Sequence, residues 1–254
     1  MSGTTSPHPK RRPFILWPLV VLICWPLAAL DPTRKITEHH LDSWQAEEGL
    51  PQNSVLAVVQ TRDGYLWLGT YEGLVRFNGA DFTVFDKSNT PRFRNNSVLA
   101  LLEDREGALW IGTNGGGLLR YAGGVFSSFG RADGLASDFV LALAQAPDGA
   151  LWVATSEGLS CLDHGRWRNY TEQAGLPNPF VWTLAFDRRG RLWAGTDGGG
   201  LACVENGRIS VWNRSRGLPH DKVWSLLCDQ RGRLWVGTGG GGVACLENDR
   251  FRGY

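Results

Sequence analysis

The most constraining feature of this 254-residue chain is a tetrapeptide that returns at nearly fixed intervals. Trp67-Leu-Gly-Thr70 is followed by Trp110-Ile-Gly-Thr113, Trp152-Val-Ala-Thr155, Trp193-Ala-Gly-Thr196 and Trp235-Val-Gly-Thr238, at steps of 43, 42, 41 and 42 residues. A Val stands 12 residues before each Trp (Val55, Val98, Val140, Val181, Val223), and a large apolar residue stands 15 or 16 after it (Phe82, Phe126, Trp167, Ile209, Phe251). Self-similarity of this period means one supersecondary unit repeated, each unit burying its apolar face against the next.

Each unit reads as four short strands. In the second, Ser97–Glu103 is an apolar run suited to a doubly buried strand. A turn at Arg105-Glu106-Gly107 leads to Leu109–Thr113, and a Gly115-Gly116-Gly117 turn leads to Leu118–Tyr121. Gly123-Gly124 then enters an alternating outer strand, Val125–Phe129. Solenoids of this period are helical, and the Gly, aromatic and β-branched residues at these positions exclude that. The 33 Gly and 12 Trp fit many short strands joined by tight turns. The expected fold is therefore all-β: a β-propeller of four-stranded antiparallel blades over residues 31–254. Leu41 and Trp44 stand to Gly49-Leu50 as Phe126 and Phe129 stand to Gly134-Leu135. This predicts an orphan outer strand over Ile36–Trp44, ahead of five complete blades. A ring closed by such a strand ends on a third strand, whereas the fifth unit carries its own fourth, Phe251–Tyr254. The expectation is an interrupted ring, part of a seven-bladed one. A closed five-bladed ring with a spare strand is the alternative.

Residues 1–13, with Lys10, Arg11 and Arg12, form a positive n-region. Residues 14–30 carry no charge and read either as a signal-peptide h-region or as an uncleaved membrane anchor. Either places the repeats outside the cytoplasm. The net charge of +1 gives no case for nucleic acid as a partner.

The block Gly49-Leu50-Pro51, Val55, Asp63-Gly64, Trp67-Leu68-Gly69-Thr70, Gly73-Leu74 resembles the two-component regulator propeller repeat, and recurs as Gly217-Leu218-Pro219, Val223 and Trp235–Thr238. Unit two departs from it, with Pro91-Arg92-Phe93-Arg94 in place of the Gly-Leu entry. The resemblance implies the extracytoplasmic input part of a membrane receptor whose output, elsewhere in the receptor, is a histidine kinase or a diguanylate cyclase. It also implies membrane attachment through the N-terminal segment or a downstream helix, and a homodimer in the full-length receptor.

No residues form a catalytic constellation, and neither a cofactor nor a metal is expected. His39 and His40, adjacent in a strand, point to opposite faces. No Cys-x-x-Cys or His-x-x-x-His occurs. The Gly runs lead into strands, where a phosphate loop would lead into a helix. Cys161, Cys203 and Cys245 share one repeat position. Stacked sheets lie about 10 Å apart, beyond a disulfide's Cα reach of about 7 Å, so free thiols are expected. In such blades the entry loops and the loops joining strands two and three share one face. The candidate ligand-binding residues are those that vary there: Gln52, Asn53, Tyr71, Glu72, Asn96, Asn114, Asp138, Glu157, Asp197, His220 and Asp221. The expected function is sensing of a small molecule, glycan or protein ligand at this channel face, without catalysis. A protein-interaction scaffold and an exported polysaccharide lyase or glycosidase are the alternatives.

Overall fold

A computed structural model describes residues 42–254, of which Trp44–Tyr254 form one compact unit. Blade 1 is β1 (Val55–Gln60), β2 (Leu66–Thr70), β3 (Gly73–Phe77) and β4 (Phe82–Phe85). Blade 2 is β5 (Val98–Glu103), β6 (Leu109–Thr113), β7 (Leu118–Ala122) and β8 (Val125–Phe129). Blade 3 is β9 (Val140–Gln145), β10 (Leu151–Thr155), β11 (Gly158–Asp163) and β12 (Arg166–Tyr170). Blade 4 is β13 (Val181–Phe186), β14 (Leu192–Thr196), β15 (Leu201–Glu205) and β16 (Arg208–Trp212). Blade 5 is β17 (Val223–Cys228), β18 (Leu234–Thr238), β19 (Val243–Glu247) and β20 (Arg250–Gly253). Every sheet is a four-stranded antiparallel meander. The innermost strands pack in succession, β1 on β5, β5 on β9, β9 on β13 and β13 on β17.

The repeated residues have repeated tasks. The Thr that ends the second strand turns its hydroxyl back to cap the following turn: Thr70 Oγ1 donates to the Gly73 carbonyl at 2.9 Å, Thr113 to Gly117 at 2.7 Å and Thr155 to Gly158 at 2.8 Å. A hydroxyl buried in a strand needs such a partner. The Gly before it, in β6 and β14, lies against the next blade. A Cβ on Gly112 would stand 2.6 Å from Val140 Cγ1, and one on Gly195 2.6 Å from Val223 Cγ1. In the first four blades the Trp packs across the interface it faces: Trp67 with Leu109 and Ile111, Trp110 with Leu151 and Val153, Trp152 with Leu192 and Ala194, Trp193 with Leu234 and Val236. The core is thus a series of inter-blade cores, and each blade depends on its neighbours.

Two faces of the array lack a covering blade among the described residues. On β1, the residue that faces a preceding blade, Val58, is 60% exposed, while its counterpart Leu101 packs against blade 1. On β17, the residue that faces a following blade, Leu227, is 64% exposed, while its counterpart Leu102 packs against blade 3. Blades 1 and 5 do not cover each other, and the closed five-bladed alternative is not what the chain adopts. Of the orphan strand expected over Ile36–Trp44, residues 36–41 lie outside the described residues, as do the n-region and the apolar segment at 14–30. Residues 42–44 carry no strand pairing. Trp44 packs its ring against Phe77 and Phe82, at centroid distances of 5.1 and 6.5 Å, the contact to Phe82 matching that of Phe129 to Trp167 and of Trp212 to Phe251.

Candidate functional site at the channel rim

Antiparallel topology sends the entry loops and the β2–β3-type turns to one end of every blade, and hydrogen bonds tie them together there. Asn114 N donates to the Ser97 carbonyl, Ser156 N to Phe139 and Asp197 N to Phe180. Between blades, Gly115 N and Gly117 N donate to the Asp138 carbonyl and Gly200 N to that of Asp221. The face expected to hold the variable residues is thereby formed.

Many candidates there serve the loops themselves. Asn53, Asn96, Asp138 and Asp221 occupy one repeat position, and each accepts a backbone N–H from the preceding loop: Ala46, Lys87, Arg131 and Arg214 respectively, at 2.8 to 3.0 Å. His220 Nδ1 accepts from Lys222 N at 3.0 Å, as Asn178 Oδ1 accepts from Phe180 N in blade 4. Glu157 pairs with Arg131. Asn114 lies in an isolated bridge to Phe139. Gln52 Oε1 is buried without a partner. Tyr71 and Glu72 are exposed on blade 1.

One corner does converge. Each innermost strand has a bulge after its repeat Val, leaving one residue unpaired with the neighbouring strand. A bulge re-aims that side chain. The bulge residues are Leu56, Leu99, Leu141, Trp182 and Trp224, so blades 4 and 5 each place an indole on the channel side. The two rings lie 4.9 Å apart, with Phe180 4.5 Å from Trp182. Lys222 Nζ lies 4.6 Å from the Trp224 ring centre and 2.8 Å from Asp197 Oδ1. The Lys222 contact, with the Trp182 indole beside it, holds the Asp197 carboxyl below its ordinary range. Trp224 is 46% exposed, unusual for so large an apolar ring. The site thus combines a paired aromatic platform with a lysine–aspartate pair at its edge. Asp197 and His220 were legible candidates. Trp182 and Trp224 were not, although the change from Val-Leu in three units to Val-Trp in two was a visible signal.

All four described cysteines are free, as expected for the three at the shared position. No group of three or more potential metal ligands occurs among the described residues.

Five antiparallel blades packed side by side through their innermost strands define a β-propeller protein. The two component regulator propeller family matches residues 49–72, 92–115, 134–157, 175–198 and 217–240, each stretch running from a blade's entry loop to its second turn. The chain belongs to this family. Over 83% of its length the structure superposes on 31% of the extracellular domain of BT3049, a hybrid two component system from B. thetaiotaomicron, with a TM-score of 0.74 and 25% identity. The extracellular domain of BT4673 from the same organism gives a TM-score of 0.68 at 21% identity, over 80% of this chain and 31% of that one. The present chain therefore spans under a third of either domain. Virginiamycin B lyase from Staphylococcus aureus shares the fold at 15% identity and a TM-score of 0.66, over 81% of this chain and 71% of that one. No curated protein sequence matches.

Proposed function

We propose that this chain is the extracytoplasmic, ligand-recognising propeller of a signal-transduction receptor, non-catalytic itself, whose output lies in a histidine kinase or diguanylate cyclase part of that receptor. The repeat family and the likeness to extracellular domains of two component systems support the sensory reading. The observation that carries ligand recognition is the Trp182–Trp224 platform with Lys222 and Asp197 at its rim. Flat faces with polar edges, such as sugar rings, match an indole pair flanked by a donor and an acceptor.

The test is titration calorimetry of the chain against a panel of oligosaccharides. Alanine replacement of both Trp182 and Trp224 should lower affinity for any oligosaccharide that binds by at least about tenfold, or about 1.4 kcal/mol, and Lys222→Ala should lower it less. Binding untouched by the double replacement, or binding only to proteins, would favour the interaction-scaffold reading.

A further inference from the structure

At the opposite end of the blades, where the β1–β2-type and β3–β4-type turns lie, the five units serve as internal controls for one another. In four of them the repeat Trp has two intramolecular partners. Its Nε1–H is donated to an oxygen six residues earlier: Trp67 to Thr61 at 3.1 Å, Trp110 to Asp104 at 2.7 Å, Trp193 to Asp187 and Trp235 to Asp229 at 3.0 Å. A guanidinium also lies over its ring. Arg76 and Arg120 supply it from the third strand, and Arg191 and Arg233 supply it from the turn, at 5.1 to 5.7 Å. In blades 4 and 5 the two partners are themselves an ion pair, with Arg Nε 2.7 Å from Asp Oδ2.

Blade 3 has neither. Ala146 stands at the aspartate position, Ala150 at the turn-arginine position and Cys161 at the strand-arginine position. Trp152, 9% exposed, has no acceptor for its Nε1–H among the described residues, and that nitrogen is not fully buried, so it is open to the cleft. Pro147 stands where Arg62 and Arg105 reach the turn of the next blade. These changes coincide with a cleft of about 780 Å³ between blades 3 and 4. The corresponding cleft between blades 4 and 5, filled by the arginines and aspartates, measures about 260 Å³. Trp152 and Tyr170, stacked at 5.1 Å, form one wall of the larger cleft, and Phe186, Leu192 and Val204 of blade 4 form the other. Asp148, Asp163, His164, Arg166 and Arg168 lie at its mouth.

We propose that this cleft binds a free α-amino acid with an apolar side chain. Its carboxylate accepts the Trp152 Nε1–H and its ammonium lies over the indole, reproducing within one small molecule the contacting carboxylate–cation pair of blades 4 and 5. A cation over an indole and a charge-assisted hydrogen bond to its N–H are both favourable where water is largely excluded. The apolar wall of blade 4 receives the side chain. This site lies on the face away from Trp182 and Trp224 and does not rest on the channel-rim reading.

The probes are L-leucine and the other apolar L-amino acids, with 4-methylpentanoate and 3-methylbutylamine as analogues lacking one charge each. Binding to the full chain is read by saturation-transfer NMR and calorimetry. L-leucine or another apolar amino acid should bind, and each single-charge analogue should bind at least about tenfold more weakly. The double variant A146D/A150R installs the pair of blades 4 and 5. It should abolish binding and raise the thermal midpoint, with circular dichroism confirming the fold. Trp152→Phe, which keeps a ring and removes the N–H, should weaken binding by about tenfold, while Trp224→Ala should leave it unchanged. The proposal is overturned if no apolar amino acid binds, if the single-charge analogues bind equally well, or if A146D/A150R or Trp152→Phe, folded, binds as the parent does.

Discussion

Asp187 shows how closely a single residue is fitted to this repeat. Its carboxylate is largely buried, and it accepts hydrogen bonds from the Trp193 indole, the Arg191 guanidinium and the backbone N–H of Arg189 and Arg191. Burial alone would raise its pKa, but the bonds from Trp193 and Arg191 outweigh it and hold the carboxyl below the ordinary range. A group depressed in the folded state stabilises fully above its unfolded value, about 3.9. That contribution is lost as pH falls through the lower folded value. Asp187→Asn should therefore cost about 1–3 kcal/mol at pH 7, and the gap to the parent should narrow on acidification below about pH 4. Urea midpoints of both proteins at pH 7 and pH 3 measure this, and a gap that widens in acid would contradict it. The cysteines give a second prediction at this scale. Burial pushes the Cys161 and Cys203 thiols up to about 11, and Cys245 is buried as well, while Cys228 is only partly covered. Thiolates are the reactive form. Among the four described cysteines, peptide mapping after iodoacetamide treatment at pH 8 should find Cys228 modified first, and Cys203 and Cys245 modified only after unfolding.

At the scale of the element, strand identity and order were legible because local and tertiary signals agree. Gly marks each turn, the apolar runs mark the inner strands, and the registered Trp marks the inter-blade face. The second unit's strands lie within one residue of their expected bounds. The outer strand before blade 1 was inferred from spacing; most of it lies outside the described residues, and Trp44 at its end packs on Phe82 as its repeat counterparts Phe129 and Trp212 pack on Trp167 and Phe251. The candidate site was legible only in part. Loop variability pointed to the face and to Asp197, which pairs with Lys222 beside the two indoles. It could not separate a ligand contact from an Asn or Asp that accepts a neighbouring N–H, because both demand a short polar side chain. Trp182 and Trp224 escaped because a β-bulge, which no local composition marks, turns one residue of an apolar run toward the channel. The Gly of the tetrapeptide makes the element-scale prediction. Gly112→Ala would press a methyl into Val140 of the next blade and should cost about 1–3 kcal/mol through overpacking. Blade 3 already carries Ala154 there, fully buried, so its own interface has accommodated the extra carbon. Comparison of Gly112→Ala with Ala154→Gly by chemical denaturation tests whether packing, and not strand propensity, sets that position. Propensity alone would make Gly112→Ala stabilising.

For the whole molecule the question is what the two uncovered faces mean. In a repeat array, stability is close to a sum of intrinsic blade terms and nearest-neighbour interfaces. Side chains that face a neighbour should therefore matter only where the neighbour is present. Leu101 faces blade 1 and Leu102 faces blade 3, and truncating either to Ala removes buried contacts, at a cost of about 2 kcal/mol. Val58 and Leu227 hold the matching positions on the outer faces, 60% and 64% exposed, and their truncation should change stability by less than about 0.5 kcal/mol. Such apolar residues on flat strands are also where further blades of the same repeat would pack. The expectation of a larger, seven-bladed ring then becomes measurable. In a longer product carrying additional repeats after Tyr254, Leu227→Ala should become as costly as Leu102→Ala, and Val58→Ala as costly as Leu101→Ala if the ring closes. Equal, small effects of Leu227→Ala in the short and long products would show that the added repeats leave this face uncovered. A rise at Leu227 without one at Val58 would describe an array that grows but does not close.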